Sequence, residues 1–204
     1  MPEKLSIDPA ATPSANTYKL LIGTVVPRPI AFVSTISPEG VLNLAPFSFF
    51  NAICANPPVV SFACGVREPV KDTLANVRAN GEFVVNIVTE EIAERMNLTS
   101  GDYEAGVDEF HLSGLTPVPS ELVRPPAVQE SPVHMECRVL QIIDVSLQPL
   151  GGSLVLGQVV RFHIDRALFD NFRIDPQKLR AIGRMGGSGY TRTRDRFDMI
   201  RPKV

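Results

Sequence analysis

The chain reads as a mainly β protein, a closed or nearly closed antiparallel barrel carrying a few peripheral helices. Three observations point there. At least six segments carry strand signals, most of these are joined by turns, and only two or three short helical stretches interrupt them. The regular strand–helix alternation of a doubly wound sheet is missing.

At 204 residues the chain is long enough to bury most of its apolar surface as one domain. Hydrophobic residues make up 44% and charged residues 21%, and no apolar stretch approaches the ~20 residues of a membrane helix. A net charge of −2 argues against non-specific nucleic-acid binding, which depends on phosphate neutralisation by many Lys and Arg. Residues 1–16 hold one lysine, three prolines and no apolar block. They read as an extended arm rather than a secretory signal, which leaves residues 17–204 as a single domain with a C-terminal tail, located in the cytoplasm. Cys54, Cys64 and Cys137 lie far apart with no C-x-x-C pair, the pattern of reduced, mostly buried thiols.

Taken in order, Thr17–Ile22 reads as a short amphipathic helix capped by Asn16, before the Pro27-Arg28-Pro29 punctuation. Ile30–Ser37 is β-branched and aromatic, Pro38-Glu39-Gly40 has turn chemistry, and Val41–Leu44 resumes the apolar pattern, so a hairpin is expected. Pro46 should block ladder pairing at the second strand's end. Val59–Cys64 is a further strand, closed by Gly65. At Val70 the period changes: Val70, Leu74 and Val77 share a helical face, Asp72 sits in the first turn, and Gly81 can terminate the helix. Glu82–Val88 is the next strand and Thr89–Leu98 a second helix, with acidic residues at its positive end. Residues 99–132, acidic and proline-rich, describe a long surface excursion. Val133–Val145 and Ser153–Ile164 are long strand-like runs joined through Gln148–Gly152, and the tail beyond them turns basic.

Two stretches carry the chemistry of a ligand site. Leu44–Asn51 (LAPFSFFN) sets three aromatic rings around the Ser48 hydroxyl and can lay backbone groups against a flat ligand; alternatively its phenylalanines simply fill a barrel. At Arg67–Thr73 the free N–H groups of a helix start, the Lys71 ammonium and the Thr73 hydroxyl converge, which suits a phosphate; the alternative is a capped helix with an exposed lysine. A flat ring system with a phosphate tail needs both kinds of surface. In the tail, Arg192, Arg194 and Arg196 share a face at strand spacing with Tyr190 available to stack, which suits an anionic ligand, a partner subunit or a solvated terminus.

Other chemistries are poorly represented. The glycines at 183, 186, 187 and 189 do not fit G-x-G-x-x-G and read as a flexible loop, and no serine sits in G-x-S-x-G. His134 and Cys137, three apart on a strand, face opposite sides, while His111 and His163 stand alone, so no metal site is expected.

P-R-P-I-A-F-V-S-T from Pro27, N-L-A-P-F-S-F-F-N from Asn43, K-D-T-x-x-N at Lys71–Asn76 and P-V-H-M-E-C at Pro132–Cys137 closely resemble the flavin reductase-like, FMN-binding split-barrel family that includes flavoredoxin. The resemblance runs from about Tyr18 to Arg196. It implies a six-stranded antiparallel split β-barrel of Greek-key type, and a homodimer with FMN near its interface. Carried over residue by residue, Thr35, Ala45, Pro46, Ser48, Phe49 and Asn51 would line the flavin and its ribityl chain. Lys71 and Thr73 would hold the phosphate, with Arg192 contributing from the tail. NAD(P)H is the implied co-substrate, and with the chemistry carried by FMN no side chain need be a catalytic acid or base. The family's phenol-hydroxylase reductase branch uses a histidine near the C-terminus; none follows His163 here, which argues against a flavin-supply role serving a monooxygenase. Two other roles stay open beside a flavin reductase. One is an electron-carrier flavoprotein serviced by a protein partner, with little direct NAD(P)H oxidation; the other is a cofactor-free barrel acting as a binding module.

Overall fold

The strand order accounts for the shape of the molecule. The structure is a computed structural model describing residues 2–202; Met1, Lys203 and Val204, the outermost residues of the expected arm and tail, lie outside the described residues. In chain order the strands are β1 (Ala31–Ile36), β2 (Leu42–Phe47), β3 (Phe50–Ala55), β4 (Pro58–Gly65), β5 (Glu82–Ile87), β6 (Pro117–Val118), β7 (Ala127–Val128), β8 (Val133–Ser146) and β9 (Gly152–Ile164). Seven of them form one antiparallel sheet in the order β2-β1-β5-β8-β9-β4-β3. Its two outermost strands are consecutive in the chain, linked only by Ser48 and Phe49, so the sheet must roll up to bring its edges together. The rings of Phe47 and Phe62 meet across the gap with centroids 5.1 Å apart, yet no ladder joins β2 to β3 or β4. The expected six-stranded barrel is therefore corrected to a seven-stranded rolled sheet, open between β2 and β3. The added strand is β3, whose residues 51–55 are exposed and carry no period-two burial to mark them.

Alternation along β1 sends Ala31 and Val33 into the rolled interior with Phe47, Phe62, Phe83, Val85, Cys137 and Val155, while Phe32 points outward beside Leu44, Ile92, Phe110 and Val128. The strand is thus buried on both faces, which explains its unbroken apolar run. Inside, Phe62 meets Phe83 edge-on at 5.2 Å. Gly157 leaves room for that ring: a Cβ there would fall 2.3 Å from Phe83 Cζ. Gly157→Ala is therefore expected to cost about 1–3 kcal/mol by overpacking, measured as a lower denaturation midpoint.

The helices are α1 (Ser14–Thr24), α2 (Asp72–Asn80), α3 (Ala93–Leu98), α4 (Glu109–Ser113) and α5 (Pro176–Leu179). None is long and apolar enough to cross a membrane. Helix α1 starts earlier than expected, after Pro13, so Asn16 lies inside it instead of capping it. Helix α2 packs Leu74 and Val77 into the interior cluster and ends at Gly81, whose φ of 68° a side chain would resist. Val70 precedes the helix and is exposed, because Lys71 is the N-cap. The second predicted helix shrinks to α3, since residues 89–92 form a bridge and turn.

Residues 99–132 are not a surface excursion. Phe110, Leu115 and Val128 extend the outer core, and Val123 and Ala127 pack with Val84. The fully buried Glu136 carboxylate anchors this segment by accepting the Glu121 and Leu122 N–H groups, with His163 Nε2 at 2.6 Å. His163 is thereby partnered, not isolated. The glycine-rich stretch is likewise not a free loop. It lies in and beside a two-stranded sheet of β12 (Ile182–Arg184) and β13 (Tyr190–Arg192), which follow the small pair β10 (Phe169–Asp170) and β11 (Arg173–Ile174). Arg184 pairs with Arg28, and a Cβ on Gly183 would crowd Pro27 and the Arg28 carbonyl at 3.2 and 3.3 Å.

Candidate functional site

Strand β2 is the rolled sheet's open edge, and its outward backbone groups set up the site. Leu44 N–H points away from β1, since it donates to Glu109 Oε2 at 2.9 Å. Pro46, two residues on, presents its nitrogen the same way, so the proline costs no ladder bond and the strand runs on through Phe47 opposite Ala31. This corrects the expectation that Pro46 ends pairing. By the same parity the Ala45 and Phe47 N–H groups face β1, and the backbone donors left free are those of Ser48 and Phe49, which make no hydrogen bond among the described residues.

Between this edge and the start of α2 lies a cavity of about 70 Å³ lined by Asn43, Ala45, Pro46, Phe47, Arg67, Lys71, Asp72, Tyr103 and Glu109, with residues 99–101. Behind Asn43, which lines it, lies a buried polar network in which Asn43 Nδ2 donates to Thr35 Oγ1 (3.0 Å) and Thr73 Oγ1 (2.9 Å), and Asn76 Nδ2 donates to Thr35 Oγ1 (3.0 Å). Lys71 is the N-cap of α2 and makes no side-chain cap and no ion pair among the described residues, so the first N–H groups of α2 have no side-chain acceptor there. Arg67 binds Asp102 at 2.7 Å and holds the 99–103 turn over the cavity. Burial pushes the Glu109 carboxyl up to about 7, with the Leu44 N–H acting against the shift and Asp72 and Asp108 adding to it.

The predicted site residues separate into four groups. Ala45, Pro46 and Lys71 line this cavity, whereas Thr35 and Thr73 are buried behind it and reach it only through Asn43. Ser48 and Phe49 adjoin it along the chain, held by Arg28: Nε donates to Ser48 Oγ at 3.3 Å, and the guanidinium lies 5.8 Å from the Phe49 ring centroid. The three rings do not surround the hydroxyl, since Phe47 is in the core, Phe50 is half-buried and Phe49 is 45% exposed. Asn51 is exposed on β3, its Oδ1 accepting the Ala52 N–H. Arg192 lies elsewhere, in a groove of about 720 Å³ that shares no lining residue with the Lys71 cavity.

In that groove Glu90 gathers the tail. It accepts from Arg194 Nε (2.7 Å) and Arg192 Nε (3.1 Å), with Arg180 at 3.5 Å, while Tyr190 stacks under Arg184 at 4.5 Å. The Arg194 hydrogen bond, outweighing desolvation, lowers the Glu90 carboxyl from 4.5 to about 2. A depressed carboxyl stabilises the docked tail above its ordinary value and loses that contribution as pH falls through the depressed one. Protection of the residue 190–194 amides, taken relative to their intrinsic exchange at each pH, should therefore fall between pH 4.5 and about 2, and Glu90→Gln should show the lower protection already at neutral pH.

Sequence reading missed Arg28, Asn43, Arg67 and Glu109. Arg28 was visible only as an arginine between two prolines, and Glu109 lay in a segment read as surface.

Residues 22–180 match the family described as Flavin reductase like domain, and the chain belongs to that family. The structure of nitrilotriacetate monooxygenase component B from Bacillus cereus superposes with a TM-score of 0.94 at 36% identity, covering 98% of this chain and 100% of that one. The 2-nitrobenzoate 2-nitroreductase of Pseudomonas fluorescens superposes at 0.88 with 34% identity, covering 97% and 96%. An uncharacterized protein of Halalkalibacterium halodurans is 38% identical over 98% of both chains.

Proposed function

We propose that the protein is an FMN-dependent oxidoreductase of flavin-reductase type that takes hydride from NAD(P)H and passes electrons to a flavin, small-molecule or protein acceptor. The observation that carries this reading is the junction of two surfaces: the cavity at Lys71 is phosphate-sized, and the strand walling it continues into Ser48 and Phe49, with free N–H groups and an exposed ring. Lys71 and the first N–H groups of α2 would hold the phosphate. Thr73 and Thr35, expected at the phosphate and the flavin, are buried with their hydroxyls accepting from Asn43 and would act through it, while Ala45, Pro46, Ser48, Phe49 and Asn51 would present backbone and ring surface to the flat part of the ligand. When bound, FMN supplies a hydride acceptor at N5 and the electrons for the next acceptor. The chain's part is to orient ring and donor and to aim the Ser48 and Phe49 N–H groups at developing negative charge.

A homodimer belongs to the same proposal, supported by apolar side chains left exposed on strands, Ile53 on β3, Leu140 and Ile143 on β8 and Phe162 on β9. Arg192 would then act at that interface or in the tail, not in the Lys71 cavity. A cytoplasmic setting completes the reading. The likeness to a monooxygenase component keeps a flavin-supply role within the proposal, despite the missing tail histidine.

The test is the absorption spectrum of the purified protein, identification of the released chromophore, and anaerobic addition of NADH or NADPH. Bleaching of the flavin band by either nucleotide is expected. Bleaching only by dithionite or a reductase would favour the electron carrier, and a colourless protein that takes up no FMN would sink the proposal.

A further inference from the structure

The Lys71 cavity contains a group that an incoming phosphate would oppose. Glu109, the first residue of α4, is only 7% exposed and lines the same cavity as Lys71. Its Oε2 accepts the outward Leu44 N–H at 2.9 Å, and the residue's own backbone N–H also hydrogen-bonds the carboxylate. The charges acting on it are Asp72 at the start of α2 and Asp108 at the N-cap of α4, both negative, while Lys71, Arg67 and Tyr103 line the same cavity. Arg67 is already committed to Asp102 and Asp72 accepts the Gly106 N–H, so Lys71 is the cavity cation without an ion pair. A phosphate dianion drawn to Lys71 would share this small cavity with the Glu109 carboxyl, and in a desolvated pocket the repulsion between dianion and carboxylate is weakly screened.

We propose that Glu109 is the proton-taking residue of the cofactor site: seating the phosphate of FMN loads a solvent proton onto the Glu109 carboxyl, and the proton returns to solvent when FMN leaves. The inference rests on the phosphate assignment made under the proposed function. It identifies Glu109 as a positioning residue that tunes retention of the cofactor and takes no part in electron transfer.

Burial places the ligand-free carboxyl at about 7. Below that value the group already carries its proton and FMN binds without further uptake. Above it, each FMN bound draws up to one proton and affinity falls by up to tenfold per pH unit, until the raised pKa of the complex is passed. The second phosphate ionisation, near about 6, is complete before this window and does not contribute.

The experiment is calorimetric titration of the flavin-free full-length protein with FMN at several values between about pH 7.5 and 9, in paired buffers of different ionisation enthalpy, with riboflavin as the probe lacking a phosphate. Wild-type protein is expected to take up a substantial fraction of one proton per FMN and to lose affinity about tenfold or more over this range, while riboflavin shows neither effect. Glu109→Gln should bind FMN with a flat profile and no uptake. Proton uptake that is absent from the wild type, equal in Glu109→Gln, or equal for riboflavin overturns the inference; the riboflavin comparison needs no variant and holds if Glu109→Gln does not fold. Failure of FMN to bind at any pH removes the cofactor reading itself, a result distinct from binding without protons.

Discussion

Replacing Arg28 with methionine is expected to destabilise the protein by about 3 kcal/mol and to lower its melting temperature by roughly 10 °C. Arg28 is buried, 5% exposed, and its guanidinium reaches four acceptors in three separate parts of the chain. One terminal nitrogen donates to the Ile22 and Val25 carbonyls at 2.7 Å each, the other to the Met185 carbonyl at 3.0 Å, and Nε to Ser48 Oγ. Two of these acceptors are at the C-terminal end of α1, where backbone carbonyls lack helical partners and the helix dipole favours a cation. Desolvation lowers the Arg28 pKa, which marks how far the site has been removed from water. Methionine fills a similar volume but leaves three carbonyls and a hydroxyl to find water. Lysine should rescue only part of the loss, because one ammonium cannot span the planar fork of acceptors. Thermal denaturation of the three proteins measures this, and a change within ~1 °C for Arg28→Met would show that the contacts are replaceable. Because Arg28 also holds Ser48, flavin retention should fall in the same variant.

Lys71→Ala should behave in the opposite way, leaving stability nearly unchanged while weakening FMN binding about 10- to 100-fold. A charge-assisted hydrogen bond to phosphate contributes about 1.5–3 kcal/mol, and each 1.4 kcal/mol is tenfold in affinity. The ammonium makes no ion pair among the described residues, so its removal from the free protein should shift stability by no more than ~0.5 kcal/mol. Riboflavin affinity should be the same in wild type and variant, since the lost contact is to phosphate alone. Fluorescence quenching titrations with both flavins decide it; equal FMN affinity in the two proteins would remove Lys71 from the phosphate site.

Much of this architecture was legible in the linear chain because its signals act between near neighbours. The Ile30–Leu44 hairpin, the β4 and β5 strands and the Gly81 helix end rest on turn chemistry, period-two alternation and a left-handed glycine, and each appears close to where it was expected. The two halves of the candidate site, Ala45–Phe49 and Lys71, were also legible as chemistry, a greasy edge and a cationic helix start. Their adjacency was not, since it depends on a rolled sheet that sets β2 beside α2. Tertiary structure alone decided the rest. Pro46 sits within a ladder because its nitrogen faces outward from an edge strand, and β3 pairs although its side chains show no burial pattern. Arg28 is buried because carbonyls as far away as Met185, 157 residues along the chain, converge on it, and Glu109 because the outward N–H of Leu44 needs an acceptor. Apolar periodicity announces itself locally, whereas a buried polar group is held by partners that meet only once the chain has folded.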